Sequence, residues 1–177
     1  MSRIVDLGCG TSKRPGAVGV DSNPAAHPDV VHDLEVFPYP FDDSSFDEIY
    51  LDNVLEHLND VIGTMEEVHR IGAPGALVRI DVPYFRSRWA AIDPTHKHVF
   101  TVESFAYFDP THAFFDRYRY SRATFGLERV SFNERFPRRG IRAVVARFAN
   151  KRPTAYEERL SSLLPLDELT FRLRVMK

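Results

Sequence analysis

The chain has 177 residues, 44% of them hydrophobic and 27% charged, with a formal net charge of −2, as expected for one soluble globular domain with a sizeable core. No apolar run reaches the ~18 residues of a bilayer-spanning helix and the N-terminus shows no signal-peptide pattern, so a cytoplasmic protein without a membrane partner is expected. The single cysteine, Cys9, excludes an intrachain disulfide framework and any multi-cysteine zinc site.

The first strand expected is Ile4-Val5-Asp6-Leu7, which runs into Gly8-Cys9-Gly10, and Ala17-Val18-Gly19-Val20-Asp21 forms a second strand ending in an acid. A strand opening into Gly-x-Gly lets the backbone approach a ligand, and the acid offers a carboxylate to ribose hydroxyls. A dinucleotide fingerprint would carry a third glycine where Lys13 stands, so a nucleoside without a diphosphate is the better ligand. Between Gly10 and Ala17 there are too few residues, Pro15-Gly16 among them, for a crossover helix of about a dozen residues. This link should be a tight loop.

Further strands are expected at 29–32, 48–51 and 76–82, each rich in β-branched or apolar residues. Between the last two, Val54, Leu55, Leu58, Val61, Ile62, Met65 and Val68 recur at helical spacing until Gly72 and Pro74-Gly75 stop the pattern. Such alternation predicts a parallel, doubly wound sheet with right-handed crossovers. Residues 84–124 are rich in aromatics and histidines and carry two Asp-Pro steps. The stretch is too long for a plain connection and is expected to be an acceptor-side insertion or lid, with a short helix starting at Thr101. A strand at 127–132, an arginine-rich helical stretch over 141–164 broken at Pro153, and an alternating strand at 169–175 complete a single domain over 1–177.

Asp6-Leu7-Gly8-Cys9-Gly10, Gly19-Val20-Asp21, the block from Pro40 to Asp47 and Asn53-Val54-Leu55-Glu56-His57-Leu58 resemble the successive motifs of the class I S-adenosylmethionine-dependent methyltransferases, in the broad methyltransferase-11 group. The resemblance covers about residues 3–100. It implies a Rossmann-like, doubly wound, mostly parallel sheet with an antiparallel C-terminal strand, here with the first crossover helix reduced to a loop. It also implies S-adenosyl-L-methionine as cofactor and methyl transfer as activity.

On that resemblance the cofactor-binding residues are Asp6, Gly8, Cys9, Gly10, Asp21, Asp33, Leu34, Asn53 and Leu55. Asp21 would take the ribose hydroxyls, Asp33 and Leu34 the adenine, and Asn53 and Leu55 the methionine end. A turn role for Asp33 competes with the adenine contact. Asp6 needs hydrogen-bond partners, which turn amides or the cofactor could supply.

Transfer to a hydroxyl or amine requires alignment, exclusion of water and removal of a proton. His96 is the expected base, with His98 and Tyr84 as substitutes, while turn-capping roles for the histidines compete. His57 reads as structural, and Trp89, Phe85 and Phe100 as an acceptor wall or core. His-x-His with Asp93 could be a metal set, but no other ligand motif supports one and no metal is expected. Residues 1–100 hold 8 Lys and Arg against 16 Asp and Glu, and residues 101–177 hold 15 against 9. A basic half can face an anionic partner or simply pair with the acidic half. Nucleic acid is not an expected partner, since no Asn/Asp-Pro-Pro-Tyr motif is present. The expected acceptor is a small polar molecule such as a sugar. The short loop leaves room for a homodimer that covers the cofactor. The alternative is a non-catalytic methyltransferase-like binding or interaction protein.

Overall fold

The computed structural model describes residues 3–135 and 139–177. Its strands are β1 (Ile4–Leu7), β2 (Val18–Asp21), β3 (Val30–Val31), β4 (Phe46–Asp52), β5 (Gly72–Pro83), β6 (Thr124–Phe132) and β7 (Glu168–Met176). They form one sheet in the order β3-β2-β1-β4-β5-β7-β6. The first five strands of that order are parallel and β7 runs antiparallel between β5 and β6. The chain steps outward from β1 in both directions, so the strand order reverses between β1 and β4. The carboxyl ends of these two strands flank the crevice where such sheets bind ligands.

No helix joins β1 to β2, as expected. Instead the loop closes on carboxylates at the strand ends: Asp6 Oδ2 accepts from Arg14 N at 2.8 Å and Asp21 Oδ2 from Gly10 N at 2.9 Å. The Gly8 and Cys9 amides both donate to Val20 O. Gly8 sits at φ +71°, and a Cβ there would collide with the Val54 side chain, so both backbone strain and close packing demand glycine. Lys13 is tied to Asp29 through Nζ, 2.9 Å from each carboxylate oxygen, and its aliphatic stem covers Gly19.

The helix after β4 starts later than its apolar spacing predicts. Helix α1 spans Val61–Ile71, with Asp60 as N-cap accepting from Gly63 N and with Thr64, Met65, Val68 and Ile71 buried on one face. Residues 54–60 form turns because their polar groups are used elsewhere. Asn53 turns left-handed at φ 55°, Glu56 O accepts from Lys97 N at 2.7 Å and His98 N at 3.3 Å, and Asn59 N donates to Glu35 Oε1. Tertiary partners override the local pattern here.

Between β5 and β6 lie α2 (Trp89–Ile92), a 3-10 turn at Ala106–Phe108 and α3 (Ala113–Tyr118). No α-helix starts at Thr101. The capping hydrogen bonds form, Thr101 N to Ser104 Oγ and Glu103 N to Thr101 Oγ1. They lead only into turns and the 3-10 segment, which buries Phe105, Ala106 and Phe108 before Asp109-Pro110 ends it. The basic stretch forms α4 (Ile141–Lys151) and α5 (Pro153–Arg159), split at the expected proline and ending five residues early. Among the described residues no helix is long and apolar enough to cross a membrane. Arg135 of the basic half reaches Asp52 and Asp81, while Arg172 and Arg174 pair with Glu134 and Glu128.

Candidate active site

Two cavities meet at the strand-order reversal. The smaller, of about 260 Å³, is lined by Gly8, Asp21, Ser22, Asp33, Leu34 and both ends of the 53–58 turn. The larger, of about 620 Å³, has Asn53, Glu56, His57 and Pro83 on one side, Trp89, Ile92, Asp93 and His96 on another, and Asp167 and Glu168 at its base. Asn53 and His57 line both. A molecule in one cavity is therefore separated from a molecule in the other by two side chains.

In the smaller cavity Asp21 stands at the end of β2 and Asp33 just past β3. Asp21 Oδ1 accepts from Asn23 N at 2.8 Å, in addition to the Gly10 contact of Oδ2. Each carboxylate oxygen has a second lone pair, so Asp21 holds its turn and can still accept from a ligand hydroxyl. Asp33 Oδ1 accepts from Glu35 N at 3.0 Å, the turn role, and its side chain also lines the cavity. Asp6, Cys9 and Gly10 build the turn from behind rather than lining the cavity. Burial pushes the Asp6 carboxyl up, against the Arg14 hydrogen bond, and burial followed by Asp6 and Asp21 pushes the Cys9 thiol up. Leu55 is fully buried in the core and lines neither cavity. Its neighbours Val54 and Leu58, which sequence spacing assigned to the same helix, line the smaller cavity instead.

The three residues expected to act as base separate clearly. His96 lines the large cavity. Tyr84 does not: it is fully buried against Phe85, Phe132 and Tyr156, and burial holds its hydroxyl far above its ordinary range. His98 does not line the cavity either, since its main chain straps Glu56 and its Nε2 is buried. Of the aromatics, Trp89 forms part of the wall, whereas Phe100 is core, stacked on Phe105.

The two Asp-Pro-Thr-His sequences fold alike. Asp93 Oδ1 accepts from Thr95 N and Oγ1 at 2.8 and 2.7 Å, and Asp109 Oδ1 accepts from Thr111 N and Oγ1 at the same distances. Their histidines differ in use. His112 Nδ1 accepts from Phe114 N to cap α3, whereas His96 Nδ1 donates to Ala90 O at 3.2 Å because a carbonyl can only accept.

The large cavity is acidic. Burial, followed by Glu168 and Asp93, pushes Glu56 up to about 7, and burial, followed by Asp81, pushes Glu168 up to about 7. Burial and then His96 pull His57 down. Hydrogen bonds from Thr95 hold Asp93 low. Four carboxylates around one chamber disfavour an anionic occupant, so the basic C-terminal half does not make this an anion site.

Residues 5–80 match the family model described as "Methyltransferase domain". Among solved structures, the chain is similar to an S-adenosylmethionine-dependent methyltransferase from Mesorhizobium loti, at 20% identity over 98% of this chain and 90% of that one, TM-score 0.58. A second, from Archaeoglobus fulgidus, is 18% identical over 98% and 86% of the two chains, TM-score 0.58. A third belongs to the Haloferax volcanii complex of a methyltransferase with its Trm112 activator, at 18% identity over 98% and 82%, TM-score 0.58. No curated protein matches the sequence. At these identities the structural likeness speaks for the fold.

Proposed function

We propose that the chain is a class I S-adenosylmethionine-dependent methyltransferase that methylates a small polar acceptor, neutral or cationic and of the size of a sugar, held in the 620 Å³ chamber. The observation that carries this reading is the shared wall: Asn53 and His57 line both cavities.

The residues of the smaller cavity fit the cofactor. Gly8 lines the cavity with bare backbone, Asp21 keeps lone pairs for the ribose, Asp33 and Leu34 would take the adenine, and Asn53 the methionine end. When bound, the cofactor supplies a methyl group already activated on a sulfonium. The remaining work falls to the chain. Asn53 and His57 set the distance between donor and acceptor, and Trp89 and Ile92 exclude water from the chamber mouth. The His96 Nε2 lone pair, free because Nδ1 carries the proton, accepts the hydrogen of the acceptor's reacting group. A second copy of the chain covering the exposed loop at residues 11–16 belongs to the same reading.

The test is a calorimetric titration with S-adenosylhomocysteine, followed by methyl-transfer assays on a panel of sugars and amines read by mass spectrometry. Saturable binding and a methylated product are expected, with His96→Ala slowing turnover by roughly 10²- to 10⁴-fold at unchanged cofactor affinity. Binding without transfer on any acceptor would favour the non-catalytic alternative, which the missing crossover helix also suits. Absence of cofactor binding would reject methyl transfer and leave only a non-catalytic interaction protein.

A further inference from the structure

One corner of the chamber holds more polar chemistry than alignment of an acceptor requires. Glu56 lines the cavity at 1% exposure, and neither of its carboxylate oxygens has a hydrogen-bond partner. A buried carboxylate without donors is costly unless a cation or proton joins it. Beside it, one candidate ligand atom from each of Glu56, His57 and His96 lies within 4.8 Å of the others.

Neighbours fix both imidazoles in the same tautomer. His96 Nδ1 donates to Ala90 O. His57 Nδ1 lies 2.9 Å from Thr95 Oγ1, whose own proton goes to Asp93 Oδ1, so His57 Nδ1 is the donor in that pair. In its neutral form each ring therefore carries its lone pair on Nε2. The two rings meet edge to face with centroids 4.7 Å apart.

We propose that Glu56, His57 and His96 form a binding site for a divalent first-row transition-metal ion, held by one carboxylate oxygen and two imidazole Nε2 atoms with its remaining positions open to the chamber. The donor set selects the class of ion: two imidazoles with one carboxylate suit zinc, cobalt, iron or manganese better than magnesium or calcium. The geometry asks for little. Ligands about 2.0 to 2.2 Å from a metal stand roughly 3 to 4 Å from one another, and the three residues already bring one ligand atom each within 4.8 Å of the others.

The outer contacts match those of metal-bound histidines, which commonly donate their second ring N–H to a carbonyl or carboxylate; here Ala90 O and the Thr95–Asp93 pair fill that place. The Lys97 and His98 amides fix Glu56 O from behind, so the lid brings His96 to the Glu56-His57 pair by a backbone tether. Asp93, Asp167 and Glu168 make the chamber attractive to a cation.

The site deepens the proposed function without depending on it for its existence. An ion here would present its open positions to hydroxyls of the acceptor, which selects for a molecule with adjacent oxygen ligands; with Nε2 on the ion, His96 would act as a ligand instead of the proton acceptor, the ion would acidify the reacting hydroxyl, and a chamber carboxylate such as Glu168 would take the proton.

The experiment uses untagged full-length protein stripped with a chelator and titrated with cobalt(II), read by calorimetry and visible absorption, with zinc(II) as competitor. One equivalent per chain is expected, with ligand-field bands that zinc abolishes. Glu56→Gln and His96→Ala should each weaken cobalt binding at least ~100-fold, and Asp93→Asn about 10- to 100-fold through His57. His112→Ala should leave it unchanged. Titration of each variant with S-adenosylhomocysteine reports whether the fold is intact, and the isosteric Glu56→Gln keeps the test meaningful if an alanine variant unfolds. Sub-stoichiometric cobalt binding by the wild type, or equal affinity in wild type and Glu56→Gln, overturns the metal site while leaving methyl transfer standing. One equivalent of cobalt in a protein that binds no S-adenosylhomocysteine rejects the methyltransferase reading and leaves the metal site in place.

Discussion

Replacing Asp21 with alanine separates the two tasks that its carboxylate carries. Oδ2 holds Gly10 N and Oδ1 holds Asn23 N, at 2.9 and 2.8 Å, while the residue lines the smaller cavity with a second lone pair left on each oxygen. A hydrogen bond to a charged group contributes about 1.5 to 3 kcal/mol, so loss of the ribose contact should weaken S-adenosylhomocysteine about 10- to 140-fold, at 1.4 kcal/mol per decade. Slackening of the loop would weaken binding too, and two controls isolate it. Asp6→Asn disturbs the Arg14 N contact of the same loop from a position outside the cavity lining and should weaken binding by less. The 2′,3′-dideoxy analogue should bind the wild type as poorly as the parent compound binds Asp21→Ala, and removing the hydroxyls should cost the variant little. All Kd values come from calorimetry at one temperature and salt. An unchanged Kd for Asp21→Ala, or full sensitivity of the variant to the missing hydroxyls, would refute the assignment.

Gly8→Ala should lower stability by about 1 to 3 kcal/mol, because the new Cβ meets Val54 at φ +71°; thermal unfolding measures it, and an unchanged Tm would show that the turn relaxes freely. Trp89→Ala should raise the acceptor KM about tenfold while leaving the S-adenosylhomocysteine Kd within about twofold, since it removes a wall of the chamber alone; equal effects on both would place Trp89 at the cofactor. Asp109 gives a pH test. Burial raises its carboxyl, but the Leu127 amide and the two Thr111 donors outweigh burial and leave it below its ordinary 3.8. A depressed folded pKa contributes stability that is present above the unfolded value and lost as pH falls through the folded one. The Tm difference between wild type and Asp109→Asn should therefore shrink from pH 5 to pH 3, and a constant difference would remove the carboxylate's role.

The parallel half of the sheet was legible because its strands are buried apolar runs bounded by turn residues: Val5, Leu7, Ile49 and Leu51 are all fully buried. The missing crossover helix followed from chain length alone. Residues 54–60 misled because side-chain periodicity does not reveal who takes the backbone groups, and Lys97, His98 and Glu35 take them here. Tyr84 has the residue type of a catalytic group at the end of β5, yet Tyr84 N donates to Asp167 O and seats the ring in the core. The His-x-His pattern drew attention to His98, whereas the partners of His96 are Glu56 and His57, some forty positions earlier. Tertiary links join them, Lys97 N and His98 N to Glu56 O and His57 Nδ1 to Thr95 Oγ1, and no local spacing reports these. Glu56 itself carried no signal beyond its place in the Leu55-Glu56-His57 block.

The tether from Lys97 to Glu56 is one of several stitches along the segment over the chamber. Phe85 N donates to Phe100 O, Lys97 N to Glu56 O, Val102 N to Glu157 Oε2 and Leu127 N to Asp109 Oδ2. A cover fastened at so many points does not swing on a hinge, since opening it would break backbone hydrogen bonds on both flanks of His96. Passage into the chamber then falls to Trp89 and Ile92 at its lip, 47% and 55% exposed, whose rotamers exchange in picoseconds to nanoseconds. A substrate would find this enzyme always assembled and merely latched, and the limit on turnover would lie in chemistry or in departure of the spent cofactor rather than in the folding back of a flap.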